Sequence, residues 1–220
     1  MTSIELKARG WWFIPPALAT QPVDILSTLG PLIPSREGLP HLDLVPYKKA
    51  SAPHASMSAK TGAGEQPMHT DAAYCPTPPR YIALQCLEPG ETSCPTRIWA
   101  LDLVRLRKDR PAALTKINWA AHGGGRPAFY CAVMDVRQLE VRIRFDPFCM
   151  RPIDGHIETV DEVRKALDNY SQAFSFEWKL GSMLIVDNWR CLHARGIGGD
   201  KAPSRKLRRW SIGADHGLVV

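Results

Sequence analysis

The sequence contains no C-x-x-C pair, although it has six cysteines. This absence argues against a zinc ribbon and against a thioredoxin-type redox motif. No apolar run approaches the roughly 20 residues that a membrane-spanning helix needs, and no repeat of fixed period is present. We therefore expect reduced thiols in a cytoplasmic protein that neither crosses a membrane nor is built from repeats.

Long uninterrupted segments are scarce, because nineteen prolines and sixteen glycines are spread along the 220 residues. Both residue types interrupt the interior of helices and strands, so short strands joined by turns are favoured over a helical bundle. A hydrophobic content of 45% is typical of a globular protein. The sequence predicts one domain over residues 1–220, mainly β in an α+β arrangement.

Acidic residues are missing from one basic segment near the C-terminus. The formal net charge is +6, and five cations fall within nine residues that include no acid. These cations are Lys201, Arg205, Lys206, Arg208 and Arg209. An excess spread over the whole surface would suggest nucleic acid or a membrane as partner, whereas a local cluster needs a local explanation. We therefore expect neither partner.

Hydrophobic alternation and turn residues predict mostly strands after residue 80. The predicted strands are 80–87, 96–101, 128–134, 139–145, 182–187 and 205–212. Helices are predicted at 24–30, at 101–107 and at 159–174. The residues from 188 to 204 are predicted to form a turn and a loop, and the small polar residues of 50–66 predict a mobile loop.

His69 and Asp71 stand two positions apart in the segment PMHTDAAYCPTPP, residues 67–79. Side chains at i and i+2 of a strand point to the same face, so this imidazole and this carboxylate can meet at one metal ion. The pair is not specific by itself, since the same spacing often occurs in a polar turn. Both interpretations stay open on this segment alone.

A third candidate ligand follows a strand near the C-terminus. The segment SMLIVDNWRCLHAR, residues 182–195, places His193 after a buried-looking strand and a turn, and RKLRRW begins twelve residues later. Alone, this histidine could be a satisfied core residue and RKLRRW a solvated strand edge. Two histidines and one carboxylate, however, are the ligands of non-haem Fe(II) oxygenases, in which adjacent coordination positions stay open.

Together, HTD, PTPPRYIAL, DNWRCLHAR and RKLRRW resemble the taurine dioxygenase family of Fe(II)- and 2-oxoglutarate-dependent oxygenases. The similarity covers roughly residues 66–100 and 180–213. It implies a double-stranded β-helix, a cupin-like jelly roll with flanking helices and the metal at one mouth. It also implies that His69, Asp71 and His193 are the metal ligands and the catalytic centre.

The same resemblance implies contacts to the cosubstrate. Arg205 would pair with the far carboxylate of 2-oxoglutarate, since its planar fork suits a carboxylate. Arg209, four residues on and therefore expected on the same strand face, would lie near the 1-carboxylate or the substrate. Thr96 would donate its hydroxyl to the cosubstrate, with Thr92 as the alternative, because GETSCPT departs from the family's usual glycine-rich spacing.

The reaction implied is hydroxylation or desaturation of an unactivated C–H bond in a small molecule, with consumption of O2 and release of succinate and CO2. Related halogenases have a small residue in place of Asp71, so its presence favours a hydroxylase-type reaction. The nearby arginines would allow an anionic substrate.

Two alternatives stay open: an oxygenase for carrier- or peptide-bound substrates, and a non-catalytic cupin-like binding protein. The sequence does not determine the substrate, the choice between hydroxylation, desaturation and cyclisation, or the oligomeric state.

Overall fold

The computed structural model describes residues 2–35, 37–54, 56–116, 119–137, 140–153 and 157–214. The helices in these ranges are α1 (Thr2–Arg9), α2 (Pro22–Ser27), α3 (Ser58–Thr61), α4 (Leu103–Asp109), α5 (Ala112–Thr115) and α6 (Ile157–Asn169). The strands are β1 (Trp11–Ile14), β2 (Leu32–Ile33), β3 (Leu42–Leu44), β4 (Tyr81–Glu88), β5 (Thr96–Leu101), β6 (Trp119–Gly123), β7 (Arg126–Cys131), β8 (Met134–Arg137), β9 (Glu140–Ile143), β10 (Met150–Pro152), β11 (Ser171–Phe176), β12 (Met183–Asp187), β13 (Cys191–Arg195) and β14 (Lys206–Ile212). The predicted mainly β, α+β class is confirmed. Among the described residues, no helix is both long and apolar enough to span a bilayer.

The largest sheet contains six strands in the order β1, β12, β4, β14, β2, with β3 also paired to β14. Its strand pairs are antiparallel. The strand β12 is buried on both faces, because Met183 and Ile185 point to one side and Leu184 and Val186 to the other. Helices α1 and α2 cover the first of these sides. The second side faces another sheet.

That second sheet has three antiparallel strands in the order β11, β5, β13. An apolar layer between the two sheets joins β4, β12 and β14 to Ile98 of β5. His193 lies opposite Ile98 in the ladder, and opposite residues share one face of a sheet, so His193 points into this layer. Arg209 shares a strand face with Leu207, which belongs to the same layer. Polar side chains from both sheets can therefore meet between them.

The other face of β5 and β13 packs on a separate apolar core. This core is closed by the antiparallel sheet of β10, β6 and β7, the hairpin of β8 and β9, and helices α4, α5 and α6. Trp119 is completely buried there and meets Phe145 edge-on, with ring centroids 6.1 Å apart. Such edge-to-face contacts stabilise aromatic pairs beyond their buried area. Phe145 is thereby held close to the segment of His69.

The helices predicted at 101–107 and 159–174 are present with other boundaries, which differ by two residues at each end of the first and by two and five residues at the ends of the second. The first helix begins at Leu103, because the carboxylate of Asp102 caps it by accepting a hydrogen bond from the N–H of Arg105 at 3.0 Å. The second ends at Asn169, because the residues that follow pair with β5. Phe174, expected on the helix, instead lies in β11. The helix predicted at 24–30 is α2, which begins two residues earlier.

The predicted loop 188–204 is wrong, because its residues Cys191–Arg195 form β13. Every residue of β13 is buried, since both faces of the strand are covered, so no polar alternation marks it in the sequence. The segment 50–66 contains the short helix α3, and its predicted mobility stays a prediction. Leu139, the first residue of another predicted strand, lies outside the described residues.

Candidate metal centre

Main-chain hydrogen bonds join the two histidines, although they are far apart in the sequence. The N–H of His69 donates to the carbonyl of His193 at 3.0 Å, and the N–H of His193 donates to the carbonyl of His69 at 2.9 Å. The two side chains are buried, and their ring centroids are 4.6 Å apart. The strand β13 therefore positions one histidine directly and the other by pairing.

Asp71 lies in the turn that follows this bridge, and its carboxylate returns to the two histidines. Thr70 points away from them, because its N–H donates to the carbonyl of Phe145 at 2.7 Å and its Oγ1 accepts from the N–H of Phe145 at 3.1 Å. Oδ1 of Asp71 lies 3.8 Å from Nε2 of His69 and 3.7 Å from Nε2 of His193. The three residues thus converge as expected, although Asp71 belongs to a turn and not to a strand.

The protonation state of His69 suits a metal ligand. Burial lowers the pKa of His69, and the neighbouring His193 lowers it further, so the imidazole is neutral at pH 7. Nδ1 of His69 lies 2.9 Å from the carbonyl oxygen of Pro67. Because a carbonyl can only accept, Nδ1 carries the proton and Nε2 keeps its lone pair. This lone pair faces Asp71.

The carboxylate of Asp71 is shared between the histidines and Arg209. Oδ1 faces the two Nε2 atoms, while Oδ2 accepts a hydrogen bond from Nη1 of Arg209 at 3.0 Å. Burial alone would raise the pKa of Asp71, but Arg209, His193 and His69 together lower it below its usual range. The group is therefore ionised at neutral pH, with one oxygen held by a guanidinium and one facing the histidines. One ligand atom from each member of the triad lies within 4.8 Å of the others, close enough for one ion.

The ion pair between Arg209 and Asp71 was not foreseen from the sequence, which placed Arg209 near the cosubstrate or the substrate. The two residues are 138 positions apart, so no local sequence pattern predicts their contact. Arg205 lies one residue before β14, whose pairing with β4 shifts register between Lys206 and Leu207. Because of this shift, the regular strand that would place Arg205 and Arg209 on one face does not extend back to Arg205.

Arg205 is a buried cation, with 4% of its surface exposed. Burial lowers the pKa of its guanidinium, and within the described part of the chain no group forms a hydrogen bond with its Nε. Gly90, at φ +91, permits this packing, because a Cβ there would lie 2.8 Å from Cβ of Ala202 and 3.1 Å from Cβ of Arg205. Burying a guanidinium is unfavourable unless an anion joins it, so the site has the chemistry of an anion receptor.

The structure separates the two threonines considered for the cosubstrate. Thr96 is buried and lies opposite Arg195 in the ladder of β5 and β13, on the face that carries His193. Its Oγ1 accepts from Nε1 of Trp178 at 3.1 Å, and its own hydroxyl proton can still be donated. Thr92 is exposed and donates to the carbonyl of Lys201 at 3.0 Å. Thr96 is therefore the one that shares a sheet face with a triad residue.

Comparison with known proteins agrees with this geometry. The profile of the family described as "Taurine catabolism dioxygenase TauD, TfdA family" matches residues 25–210. The chain belongs to this dioxygenase family. The match extends the resemblance seen in the sequence toward the N-terminus and across the middle of the chain, where the sequence motifs are unspecific.

Individual relatives of this TauD/TfdA family member are distant. A tyrosine isonitrile desaturase of Pseudomonas aeruginosa PAO1 is 25% identical over an alignment of 180 residues, and the match covers 69% of this chain and 60% of the relative. The non-haem iron oxygenase OrfP, solved with Fe and α-ketoglutaric acid, has a TM-score of 0.65 and 20% identity over 88% of this chain and 63% of its own. Asparagine oxygenase with Fe(II), 3-hydroxyasparagine and succinate has a TM-score of 0.62 and 19% identity over 83% of this chain and 59% of its own. The chain thus shares the fold of the two solved oxygenases and spans about three fifths of the length of each of the three relatives.

Asp187 is a second buried carboxyl group, at the end of β12, with 2% of its surface exposed. Its Oδ1 accepts from the N–H of Trp189 at 3.1 Å, and its Oδ2 lies 3.9 Å from Nε of Arg80. Burial raises the pKa of Asp187 to about 6, and the nearby Arg80 and Arg190 offset only part of this effect. The turn before His193 therefore contains a group that titrates in a mildly acidic range.

We predict that Asp187 makes the protein less stable as the pH rises from about 4 to about 6. The folded protein holds this proton more tightly than the unfolded chain, whose aspartates titrate near 3.9, so ionisation disfavours the folded state by up to roughly 3 kcal/mol. Urea unfolding between pH 4 and pH 7 measures this. Asp187→Asn should remove that component of the pH dependence, and identical pH profiles for the two proteins would contradict the assignment.

Proposed function

We propose that this chain is an Fe(II)- and 2-oxoglutarate-dependent oxygenase that hydroxylates or desaturates an unactivated C–H bond, releasing succinate and CO2. The observation that supports it best is the partly buried Asp71 carboxylate, which presents one oxygen to the Nε2 atoms of two imidazoles while Arg209 holds the other. Two histidines and a carboxylate that leave adjacent positions open are the ligand set of this enzyme class. The finer architecture we propose is the double-stranded β-helix, with the two facing sheets as its walls.

His69, Asp71 and His193 would hold the iron, which when bound supplies the oxidising chemistry toward O2 and the substrate. Their donor atoms fit a ferrous ion, since both imidazoles direct Nε2 toward Oδ1 of the carboxylate. Arg209 keeps that carboxylate ionised and orients it through Oδ2. The apolar layer between the sheets adjoins this space and would limit the access of water to it.

Arg205 would bind the far carboxylate of 2-oxoglutarate, and Thr96 would donate its hydroxyl to the same molecule. The support for Arg205 is its burial together with an Nε that has no partner among the described residues. A carboxylate entering this site would gain a charge-assisted pair and relieve the cost of the buried cation. The support for Thr96 is its place on the sheet face of His193.

Anaerobic binding of Fe(II) and 2-oxoglutarate tests this proposal. We expect the weak visible charge-transfer band of a chelated keto acid in the wild type and its loss in His69→Ala and Asp71→Ala. Arg205→Ala should weaken 2-oxoglutarate binding by at least roughly 30-fold, because truncating one partner of a buried charge pair costs about 2 kcal/mol or more.

Arg208→Ala is the matched control for Arg205→Ala. Arg208 belongs to the same basic segment, but its guanidinium pairs with Asp43, with Nε at 2.8 Å from Oδ1. Its removal should therefore leave 2-oxoglutarate binding unchanged. No band in folded protein reconstituted with iron would overturn the proposal and favour a non-catalytic binding protein.

We further propose that the substrate is a free amino acid or a small derivative of one. OrfP has been solved with (3S)-hydroxy-L-Arg, asparagine oxygenase with 3-hydroxyasparagine, and the curated relative is named for a tyrosine isonitrile.

The segment 50–66 is proposed as a lid over this substrate. Its C-terminal part is attached to β13, because Nε of Arg195 donates to the carbonyl of Gly64 at 2.9 Å.

Succinate formation distinguishes the substrate classes. Among free L-amino acids and N-modified derivatives offered with Fe(II), 2-oxoglutarate and O2, we expect at least one to raise succinate release at least tenfold above the substrate-free rate. Taurine provides a control of similar size that lacks a carboxylate. Stimulation only by carrier- or peptide-bound substrates would contradict the proposed class and support the alternative oxygenase.

A further inference from the structure

Asn188 is completely buried in the turn between β12 and β13, and its side chain binds the main chain of Asp71 on both sides. The N–H of Asp71 donates to Oδ1 of Asn188 at 2.7 Å. Nδ2 of Asn188 donates to the carbonyl of Asp71 at 3.0 Å and to the carbonyl of Pro79, also at 3.0 Å. A carboxamide offers both an acceptor and two donors, and here all of these functions are used.

The main chain at Asp71 has an unusual need for such a partner. His69 and Thr70 are held by main-chain bonds to His193 and Phe145. Asp71 follows them in a turn, and the next residue, Ala72, has the left-handed φ of 55°. A left-handed conformation in a residue with a Cβ costs roughly 1–2 kcal/mol and persists only where the surroundings impose it. In the described structure, Asn188 bonds both the N–H and the carbonyl of Asp71, and the N–H of Cys75 donates to the carbonyl of Ala72 at 2.8 Å.

We propose that Asn188 is a positioning residue for the metal centre: it fixes the main chain of Asp71 so that the carboxylate meets His69 and His193. This inference rests on the proposed metal-binding function. Asn188 lies five residues before His193, so one turn connects the placement of Asp71 with the strand that carries the other ligands. Loss of the carboxamide would free Asp71 to move relative to His193 without removing any metal ligand.

The competing explanation is that Asn188 only stabilises the loop that precedes β4. The neighbouring Trp189 provides a matched test of this explanation. Its Nε1 donates to the carbonyl of Pro78 at 3.2 Å, so it ties the same loop to the same turn. In the described structure, its side chain forms no hydrogen bond with Asp71. Trp189→Phe therefore removes one loop contact and leaves the main chain of Asp71 bound.

Anaerobic titration with Co(II), followed by its visible d–d absorption, tests the proposal without catalysis. We expect Asn188→Ala to weaken Co(II) binding by about 10- to 100-fold and to change the absorption spectrum, because partners that orient metal ligands typically have effects of this size. Trp189→Phe should bind Co(II) within about threefold of the wild type, with an unchanged spectrum. Circular dichroism at the titration temperature establishes that each variant is folded.

Asn188→Ser serves if the alanine variant does not fold, since a serine hydroxyl is one bond shorter than the carboxamide and cannot hold both the N–H and the carbonyl of Asp71. We expect weakened Co(II) binding and a changed spectrum in that variant also. Equal affinity and an unchanged spectrum in the Asn188 variants would overturn the inference, as would an equal loss in Trp189→Phe. A wild-type protein that binds no Co(II) would overturn the proposed function as well, so the two failures are distinguishable.

Discussion

The carboxylate of Asp71 is the group on which the arrangement of the site depends. It is largely enclosed, with 13% of its side-chain surface exposed, yet it stays ionised, because Arg209 above all lowers its pKa more than burial raises it. An ionised buried carboxylate is stable only when its oxygens are occupied or face positive charge. Here Oδ2 is bound to Arg209, while Oδ1 faces the Nε2 atoms of the two histidines, where a bound cation would balance its charge. The remaining structure can be understood as a means of keeping these four side chains together.

Two facing sheets meet this requirement by bringing distant segments into one layer. The strand β13 carries His193 and pairs with His69. Arg209 lies on β14 of the opposite sheet, and its side chain points toward them. The apolar residues beside them lower the local dielectric constant, so the attraction between Arg209 and Asp71 is stronger than it would be in water. Arg205 is buried without a bonded Nε partner among the described residues, and this supports the proposed binding of an anionic cosubstrate there.

Local patterns in the sequence predicted most strands that alternate or form short apolar runs, although the strand predicted at 128–134 is divided between β7 and β8. The motifs around His69 and His193 predicted the family. What they missed depends on distant contacts. β13 shows no alternation, because both of its faces are covered. The prediction extended α6 to Phe174, because the helical spacing of apolar residues continues that far. In the structure, Phe174 belongs to β11, which pairs with β5. Asp71 forms hydrogen bonds with Arg209 and with Asn188, each more than a hundred positions away in the sequence, so only the folded chain reveals them.

A crystal structure of the protein grown anaerobically with Fe(II) and 2-oxoglutarate would test the metal centre most directly. Anomalous diffraction at the iron edge locates the ion independently of any assumption about its ligands. We expect one peak between Nε2 of His69, Oδ1 of Asp71 and Nε2 of His193, with 2-oxoglutarate extending from it to Arg205. A peak elsewhere, or an iron-free triad in crystals that contain the metal, would contradict the assignment of these three residues as its ligands.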